Sequence, residues 1–376
     1  MIYVLKQFDT PLIRFSAESG AEPDVHILWT DENKKELLPL DLPEISPKGI
    51  ESWVKNRSIP RNRAHVSAIL SSLGLSLNRP FDILRISKGL SLNDCYWGTE
   101  EGFEGSFEKY NLYDNPISRV LGEIAFTGYG SSDGIIKSSP ELTTNGMLPK
   151  CWRRESGVIR LYKGGTTGAA NAGYEPYSEF YAAQIAEVLH VNAIPYGLSK
   201  WKGILCSTCE LFTSKNYAFV PVGRIILSGG MKAVREYYRE LGSEYIKALD
   251  DMIVFDAVIL NSDRHYGNFG FLVDNRTNTI TAPAPLFDHG LSLLTYAWGP
   301  DLRDIESIGR YADTLQPCVY DDFVGTAKSV LTHEHKDDLR KLLKYKFKRH
   351  SRYNLPEERL ALVEEIVHRQ AMRLLS

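Results

Sequence analysis

Two short segments near residue 270 hold side chains whose types and spacing could carry chemistry. Asp263 is followed five positions later by Asn268, and a second carboxylate, Asp288, comes further along the chain. Phosphoryl transfer from ATP uses such a set, because one carboxylate orients the attacking hydroxyl while an amide oxygen and another carboxylate hold Mg²⁺. Mg²⁺ prefers oxygen ligands and keeps several waters, so two protein ligands are enough. The expected chemistry is therefore phosphoryl transfer, with Asp263 as the base and Asn268 and Asp288 as metal ligands.

The elements around these side chains are predicted to place them on adjoining loops. Residues 244–260 repeat apolar side chains at helical spacing, so a helix with one buried face would end just before the base. Residues 269–273 and 279–281 are typical of two short strands joined by a turn. Because a hairpin returns the chain on itself, it would bring Asp288 back beside Asn268.

A second group of residues is suited to holding nucleotide phosphates. A short polar turn can offer backbone N–H groups to phosphate oxygens, and its glycine permits a close approach. The residues of this turn are Thr144, Asn145 and Gly146. Lys150 follows closely, and the alternating residues 158–163 predict a strand that ends in Lys163. A strand lysine of this kind reaches the α- and β-phosphates in kinases.

Lys163 would need an acidic partner, and the next predicted helix offers one. This helix is predicted to begin after Pro176, with Ser178 as its N-cap. Glu179 then lies in the first turn. Glu175, one helical turn earlier, is the alternative partner.

These motifs resemble the catalytic core of HipA-like serine/threonine kinases, over roughly residues 130–375. His265 stands two residues after the base, where this family carries a histidine, whereas protein kinases place theirs before the aspartate. The resemblance implies an α+β, bilobal protein-kinase-like fold with a helical C-lobe and an additional N-terminal α/β domain. The implied domains are an accessory domain at 1–120, a nucleotide-binding N-lobe at 121–222 and a helical catalytic C-lobe at 223–376.

The resemblance also implies roles, cofactors and partners. Asp263, Lys163 and His265 would be catalytic, Glu179 would position the lysine, and Glu210 and Phe212 would lie at the adenine-binding hinge. ATP and Mg²⁺ are the implied cofactors, and a serine or threonine hydroxyl of a protein is the implied acceptor. Because the family often supplies toxins of toxin–antitoxin pairs, a small antitoxin protein and a bacterial or phage source are implied.

Self-phosphorylation is a further property of the family. Members phosphorylate a serine in their own phosphate turn, which ejects the turn and inactivates the enzyme. The candidate hydroxyls here are Ser138, Ser139, Thr143 and Thr144.

Composition narrows the class of protein. The chain has 376 residues, of which 43% are hydrophobic, enough for two or three packed domains. A net charge of −3 gives no footprint for direct nucleic-acid binding or for an anionic membrane. No apolar run approaches the ~20 residues of a membrane span, and the first residues lack a signal-peptide pattern. With five scattered cysteines, a reduced, cytoplasmic protein is expected.

Several other features have a structural interpretation. Cys206 and Cys209 form a single CxxC without a second pair, so a structural role is expected. Asp256 lies within the apolar helix and is expected either to anchor the following loop or to face solvent. His333 and His335 are expected in a loop. A basic cluster is expected to be a solvated helix face or to meet an acidic partner; it comprises Lys55, Arg57, Arg61 and Arg63.

The remaining chain is divided by its patterns as follows. Strands are predicted at residues 3–6 and 25–29, and residues 89–110 are expected to be mostly loop. Further helices are predicted at residues 61–73, 320–331, 336–348 and 356–374.

Three other functions remain open at this stage. A kinase for a small molecule or a lipid headgroup would use a similar loop. A pseudokinase or binding module would keep the nucleotide as a structural element, although all five main groups are present. AMP transfer through an inverted nucleotide is a third alternative.

Overall fold

The computed structural model describes residues 1–18, 20, 23–42, 44–130 and 139–376. Its strands are β1 (Ile2–Gln7), β2 (Thr10–Ala17), β3 (Val25–Thr30), β4 (Tyr96–Glu100), β5 (Lys150–Glu155), β6 (Val158–Gly164), β7 (Gly197–Trp201), β8 (Ile204–Glu210), β9 (Tyr217–Pro221), β10 (Gly270–Asp274) and β11 (Ile280–Pro283). Its helices are α1 (Pro47–Asn56), α2 (Val66–Ser71), α3 (Pro80–Ser87), α4 (Phe107–Tyr110), α5 (Arg119–Thr127), α6 (Glu175–Val188), α7 (Val222–Ile225), α8 (Gly230–Leu241), α9 (Ser243–Ile259), α10 (Ile305–Thr314), α11 (Phe323–Lys328), α12 (His333–Leu342) and α13 (Glu357–Leu375). Along these described ranges, no helix is long and apolar enough to cross a bilayer.

The described chain forms two compact units. The first comprises Met1–Lys163, Glu210–Val220 and Phe271–Thr281. The second comprises Gly164–Cys209, Pro221–Gly270 and Ala282–Ser376. The first unit thus holds the region expected to be an accessory domain together with the predicted phosphate turn. The division into three domains stays a prediction.

An antiparallel sheet ordered β3-β2-β1-β4 opens the first unit. Alternate residues of β1 are buried, as expected for a strand with one face on a core. Leu5, Phe15, Trp53 and Phe81 pack together beneath this face. The predicted strands near residues 3 and 25 are confirmed. The expectation that residues 89–110 are mostly loop is wrong at two places, because β4 (Tyr96–Glu100) pairs with β1 and α4 (Phe107–Tyr110) is helical.

Two further apolar clusters complete the first unit. One joins α2, α3 and α5 through Ile69, Ile83 and Leu121. The other joins β4 to β6 through Trp97 and Ile159. The helix predicted at 61–73 is shorter than expected, because turns precede α2 and its N-cap residue has a left-handed backbone.

The first unit also includes two segments from later in the sequence, Glu210–Val220 and Phe271–Thr281, and these segments contain strands. β9, β10 and β11 form a sheet in the order β11-β10-β9, which confirms the predicted hairpin after the base loop. The β10–β11 turn is tied down by Asn278, whose Nδ2 donates to the carbonyls of Glu36 (2.9 Å) and Leu38 (2.6 Å).

Helices dominate the second unit, with α9 at their centre. The side chains of α9 from Met252 to Ile259 are all buried, which confirms the helix predicted from apolar spacing. α11 and α13 pack against α9, and α13 confirms the helix predicted at 356–374. The predictions at 320–331 and 336–348 were too long, since α11 and α12 are shorter.

His333 and His335 lie in the first turn of α12, so their expected loop assignment is wrong. The side chain of Thr332 accepts from the His335 backbone N–H, and His335 Nδ1 accepts from the Thr332 backbone N–H. This reciprocal pair caps the helix start. His335 Nε2 also lies 2.8 Å from Asp251 Oδ1, so the ring is committed to packing.

Candidate active site

The predicted base lies on a loop that begins where α9 ends. Leu260 adopts a left-handed backbone (φ +53°) and stops the helix. The side chain of Asn261 then bridges the two elements: its Nδ2 donates to Asp256 Oδ1 (3.2 Å) and its Oδ1 accepts from the Asp263 backbone N–H (3.2 Å). The backbone of the base residue is therefore held by the last turn of a buried helix.

The side chain of Asn268 folds back onto the same loop. Its Nδ2 donates to the carbonyl of Asp263 at 3.0 Å. Its Oδ1 has no hydrogen-bond partner among the described residues. The amide nitrogen of Asn268 thus faces the Asp263 carbonyl, and the amide oxygen is left for a hard cation, which prefers oxygen ligands.

Asp256 and Arg264 form a buried ion pair beneath this loop. Both side chains are fully buried, and two of the guanidinium nitrogens donate to the carboxylate at 3.0 Å each. Burial opposes the charge of Arg264, but the Asp256 carboxylate outweighs it and raises the pKa of the guanidinium above its ordinary value. The alternative of a solvent-facing Asp256 is therefore wrong, and its role as an anchor is confirmed.

Arg264 also joins the base loop to the loop that carries Asp288. Its Nη1 donates to the carbonyls of Asn268 (3.3 Å) and Phe287 (2.6 Å), and its Nη2 lies 3.0 Å from His289 Nδ1. The buried guanidinium of Arg264 thus contacts Asn268, one predicted metal ligand. It also contacts Phe287 and His289, the residues on either side of Asp288, the other predicted metal ligand.

Asp288 is positioned by backbone bonds and by a tyrosine. Leu286 exchanges two backbone hydrogen bonds with the segment before Tyr196, donating to Asn192 and accepting from Ile194. The backbone N–H of Asp288 then donates to Tyr196 Oη at 3.1 Å. Asp288 has a left-handed backbone (φ +59°), which is strained for a residue with a side chain.

Tyr196 is buried, and the charges of both Asp288 and the predicted lysine partner Glu179 act on its phenol. Burial raises the pKa of the Tyr196 phenol well above its ordinary value, and the charges of Glu179, Cys209 and Asp288 add to the effect. The phenol is therefore neutral at any working pH. Its bond to the Asp288 backbone was not foreseen from the sequence.

α6 begins earlier than its pattern predicts. The helix starts at Glu175, so Glu179 lies in the second turn, and its predicted N-cap, Ser178, lies inside the helix. Ser178 instead donates its hydroxyl to the carbonyl of Ser292 (3.0 Å). Glu179 is fully buried, and the Ser207 hydroxyl donates to its carboxylate.

Glu175, the alternative partner for Lys163, is occupied within the second unit. Its carboxylate accepts from the Thr166 backbone N–H (3.2 Å) and from the Tyr296 hydroxyl (3.0 Å). These bonds fix the glycine-rich segment between β6 and α6. Glu179 likewise accepts from Ser207, so the choice of Glu179 over Glu175 as the partner of Lys163 stays a prediction.

His265 is exposed beside the base. Its Nδ1 accepts from the Gly267 backbone N–H at 3.0 Å, which places the ring proton on Nε2 in the neutral form. The ring is thus oriented by its own loop.

The predicted phosphate turn lies in the first unit with its backbone donors available. Gly146 has φ +92°, a left-handed value that favours glycine. Lys150 Nζ donates to the Asn145 carbonyl at 3.0 Å, and a Cβ on Gly146 would lie 2.2 Å from this nitrogen. No described residue accepts from the backbone N–H groups of Thr144, Asn145 or Gly146. Consecutive free N–H groups of this kind are suited to an anion.

Arg63 holds this turn from below. Its guanidinium donates to the carbonyls of Thr144 (2.7 Å) and Lys150 (2.8 Å) and forms a fully buried ion pair with Glu141 (2.8 Å). Glu141 in turn accepts from the Trp152 backbone N–H at 2.8 Å. The expectation that Arg63 belongs to a solvated face or meets an acidic partner protein is wrong.

Two other basic residues of that cluster, Arg57 and Lys55, differ in their burial. Arg57 is buried, pairs with Asp94, and donates to the carbonyl of Gly89 at 2.8 Å. Lys55 pairs with Glu51, one turn earlier on α1. Only part of the cluster is therefore a solvated helix face.

The predicted hinge residues lie at the end of β8 and just after it. Glu210 is exposed and pairs with Arg160 of β6 (2.6 Å). Phe212 stacks edge-on against Phe219, with the ring centroids 5.5 Å apart. Neither contact tests a role in binding adenine.

The CxxC segment belongs to the packing of the second unit. Cys206 is buried in β8, and its thiol contacts the carbonyl of Ser199 at 3.5 Å. In the described part of the chain no cluster of three His, Cys, Asp or Glu side chains could hold a metal. All five cysteines lie in the described residues, and none of them forms a disulfide.

The predicted residues thus fall into two sets. The second unit holds Glu179, Asp263, His265, Asn268 and Asp288. The first unit holds Thr144, Asn145, Gly146, Lys150, Lys163, Glu210 and Phe212. Sequence patterns missed Arg63, Tyr196 and Arg264, because no periodic signal marks a buried polar residue in a turn or loop.

Comparison with known proteins gives relatives by structure alone. No protein-family model matches the sequence, and no curated protein matches it. The HipA chain of a *Shewanella oneidensis* MR-1 toxin–antitoxin complex with HipB and operator DNA aligns with a TM-score of 0.54 at 14% identity. This alignment covers 99% of this chain and 97% of that chain. The *Helicobacter pylori* proinflammatory kinase CtkA aligns with a TM-score of 0.47 at 17% identity, over 60% of this chain and 91% of that chain.

The likeness to HipA runs over nearly the whole of both chains, and at 14% identity it bears on the fold alone. This chain has the HipA-like kinase fold that its motifs predict.

Proposed function

We propose that this chain is a kinase that uses ATP and Mg²⁺ to phosphorylate a serine or threonine hydroxyl of a protein. The contacts of Arg264 carry the proposal. Its guanidinium bonds the carbonyls of both Asn268 and Phe287, so the predicted base loop and the predicted metal loop share one buried anchor. The HipA-like fold supports the same activity.

Asp263 would act on the acceptor hydroxyl. It would orient the hydroxyl and take its proton while the oxygen forms a bond to the γ-phosphorus. The bond from that phosphorus to the β–γ bridging oxygen breaks, and ADP leaves with the electron pair. His265, beside the base, would help to orient the loop. Positioning and charge stabilisation would supply most of the rate, since little covalent chemistry falls to the protein.

The donor set of the second unit fits Mg²⁺. Asn268 directs its amide nitrogen to the Asp263 carbonyl and so leaves its oxygen for a cation. Asp288 would supply the carboxylate, and its strained backbone is the kind of feature that functional sites retain. A bound Mg²⁺ would offset the charge of the phosphates.

The first unit would bind the phosphates and the base of ATP. Phosphate oxygens would accept hydrogen bonds from the free backbone N–H groups of Thr144, Asn145 and Gly146. Lys150 and Lys163 would also donate to phosphate oxygens. Glu179 would position Lys163. Glu210 and Phe212 would lie at the adenine.

A toxin role with a small antitoxin partner belongs to the same proposal. It is supported by the Shewanella structure, in which HipA is assembled with HipB and operator DNA. The expectation that this chain makes no direct nucleic-acid contact remains untested, and an antitoxin that binds DNA would bring DNA close to it.

Self-phosphorylation would require the phosphate turn to open. Ser139 is fully buried, and the Thr143 hydroxyl is buried and donates to the Leu90 carbonyl at 2.9 Å. The Thr144 hydroxyl donates to the Pro140 carbonyl at 2.7 Å. Ser138 lies outside the described residues. Phosphopeptide mapping after incubation with ATP tests the idea, and an unmodified turn would contradict it.

Incubation with γ-labelled ATP and Mg²⁺, alone and with cell lysate, tests the function directly. Asp263→Ala is the inactive comparison, and Asp313→Ala, at a surface aspartate of the same unit, is the matched control. Label on a lysate protein that disappears only with Asp263→Ala is the expected result. Phosphoamino-acid analysis of the labelled protein then distinguishes serine and threonine from other acceptors.

Other outcomes would select one of the alternatives. Transfer to a small molecule or a lipid, with no labelled protein, would establish the alternative kinase class. Tight ATP binding without any transfer would establish a pseudokinase. Label retained from α-labelled but not γ-labelled ATP would show AMP transfer.

A further inference from the structure

A cavity of about 460 Å³ opens in the second unit beside the base loop. His265, Tyr266 and Gly267 form one wall, so the cavity begins two residues from Asp263. The opposite wall comes from the chain between β9 and α8. Its volume lies within the range of ordinary small-ligand pockets, about 300–1,000 Å³.

Close backbone contact fixes the cavity against the base loop. The backbone N–H of Gly223 donates to the carbonyl of Tyr266 at 3.0 Å. A Cβ at Gly223 would lie 2.8 Å from the Cβ of Tyr266, so only glycine fits this approach. The cavity therefore keeps a set distance from the predicted base, whatever occupies it.

The lining is largely apolar and includes a large exposed side chain. Pro221, Ile226 and Val234 contribute aliphatic surface, and Tyr266 contributes its ring. Leu227, at the rim, is 69% exposed. An exposed apolar side chain that borders an apolar cavity marks a surface suited to binding another molecule.

The backbone beside Leu227 is open as well. No described residue forms a hydrogen bond with the backbone N–H or C=O of Leu227 or Ser228. Both residues are exposed and lie outside any helix or strand. An unpaired stretch of backbone can pair with an extended peptide, which supplies matching N–H and C=O groups.

We propose that this cavity and the open backbone at Leu227–Ser228 bind an extended segment of the acceptor protein. A bulky apolar side chain of that segment fills the cavity, and the segment's main chain pairs with Leu227 and Ser228. This arrangement presents a serine or threonine of the same segment to Asp263. The inference rests on the proposed kinase function and specifies its acceptor.

A peptide fits the observations better than a lipid or a small metabolite. The apolar cavity alone would suit an acyl chain, but the neighbouring free N–H and C=O groups match a polypeptide main chain. An acceptor bound in this way needs one apolar residue at a set spacing from its hydroxyl. A sequence preference with a single strong apolar position is the signature of such a site.

Phosphorylation of a positional-scanning peptide library with γ-labelled ATP and Mg²⁺ measures this preference. Each peptide carries one serine or threonine and one fixed residue. We expect one flanking position at which Leu, Ile, Met or Phe is preferred. For the best peptide, Leu227→Glu is expected to raise KM about tenfold or more, as for a lost apolar contact in a specificity pocket. The KM for ATP is expected to stay constant.

Ser228→Pro removes the backbone N–H of a residue that also lines the cavity, and it is expected to raise the peptide KM as well. Met372→Glu, at a half-exposed apolar residue of α13, is the matched control and is expected to change neither KM. Both Leu227 and Ser228 are exposed, so these variants are expected to fold. Circular dichroism and a urea midpoint confirm this before the kinetics.

Each other outcome overturns the inference in a distinguishable way. Labelled peptides without an apolar preference, or a Leu227→Glu variant with unchanged peptide KM, would reject the cavity while leaving the kinase in place. Label on a lysate protein but on no peptide would show that the acceptor is not an extended segment. Absence of transfer to any acceptor would reject both this inference and the proposed function.

Discussion

Lys150 and Lys163 are direct cross-strand partners in the β5–β6 hairpin. Both are nearly buried, with exposures of 5% and 6%. Like charges placed opposite each other on antiparallel strands destabilise the pair. The register thus sets two cationic side chains side by side, and a bound polyphosphate would be attracted to both, in agreement with the proposed anion site.

Lys150→Met and Lys163→Met are each expected to weaken ATP binding. Each removes a hydrogen bond to a charged group, which is worth about 2 kcal/mol, or about thirtyfold in Kd. Titration with ATP and Mg²⁺, followed by calorimetry, measures the loss. Lys109→Met, at an exposed lysine of the same unit, is the control. Unchanged Kd in both variants would remove this hairpin from the nucleotide site.

Arg63 is expected to matter both for stability and for the phosphate turn. Arg63→Met leaves the fully buried Glu141 without its partner, so we expect a loss of about 3–5 kcal/mol in the free energy of unfolding. Adding Glu141→Gln is expected to restore much of the stability, because the amide still accepts from the Trp152 N–H. Urea unfolding measures both changes.

Nucleotide affinity separates the structural role of Arg63 from its positioning role. The double variant still lacks the bonds to the Thr144 and Lys150 carbonyls, so we expect weak ATP binding in a stable protein. Arg61→Met is the control, since within the described ranges Arg61 bonds only the exposed Asn78 side chain. Full recovery of affinity in the double variant would show that the turn does not depend on Arg63.

The sequence predicted the helices and loops better than it predicted the buried polar contacts. The apolar spacing of α9 and α13 identifies a buried face directly, so their assignments hold. α6 was placed too late because Pro176 suggested a boundary, yet proline is well tolerated in the first turn of a helix. Helix starts depend on one or two capping residues and are therefore harder to locate.

Arg264 shows why part of the site was not predictable. In the sequence it is a charged residue between the base and a histidine, a context that favours solvent exposure. Its burial depends on Asp256, which lies on the preceding helix and was assigned with two equal alternatives. A pair of this kind is recognisable only when the loop and the helix are folded together.

Stability is expected to fall in acid because of Glu364. The carboxylate is nearly buried and accepts from Lys346 Nζ (2.7 Å), the Phe347 N–H (3.1 Å) and Arg349 Nη1 (3.2 Å). Burial alone would raise its pKa, but these donors outweigh burial and lower the pKa below the ordinary 4.5. The contribution is therefore complete above the unfolded pKa and is lost as the pH falls through the folded pKa.

Glu364→Gln is expected to flatten the acid limb of the stability curve. Urea midpoints measured from neutral pH down through the ordinary glutamate range test this, with Glu365→Gln, at a half-exposed glutamate, as control. The variant should be less stable than the parent near neutral pH and should approach it in acid. An equal acid dependence in both proteins would assign the effect to other carboxylates.

Asp288 is expected to support phosphoryl transfer while lowering the free energy of unfolding. Its left-handed backbone costs on the order of 1 kcal/mol, a strain that glycine would not have. Asp288→Gly is therefore expected to raise the free energy of unfolding by about 1 kcal/mol. Asp288→Asn, which tolerates the same backbone, is expected to leave stability nearly unchanged. The bond from the backbone N–H to Tyr196 is available in both variants.

Both substitutions remove the carboxylate, so both are expected to abolish phosphoryl transfer or to raise the half-saturating Mg²⁺ concentration by at least about tenfold. Initial rates across a Mg²⁺ titration, beside urea unfolding, measure the two effects together. Ser156→Gly, at an exposed left-handed residue of the β5–β6 turn, is the control and should gain stability without losing transfer. If Asp288→Gly keeps full turnover at ordinary Mg²⁺, the strained carboxylate is not a metal ligand, and the assignment of the metal loop fails with it.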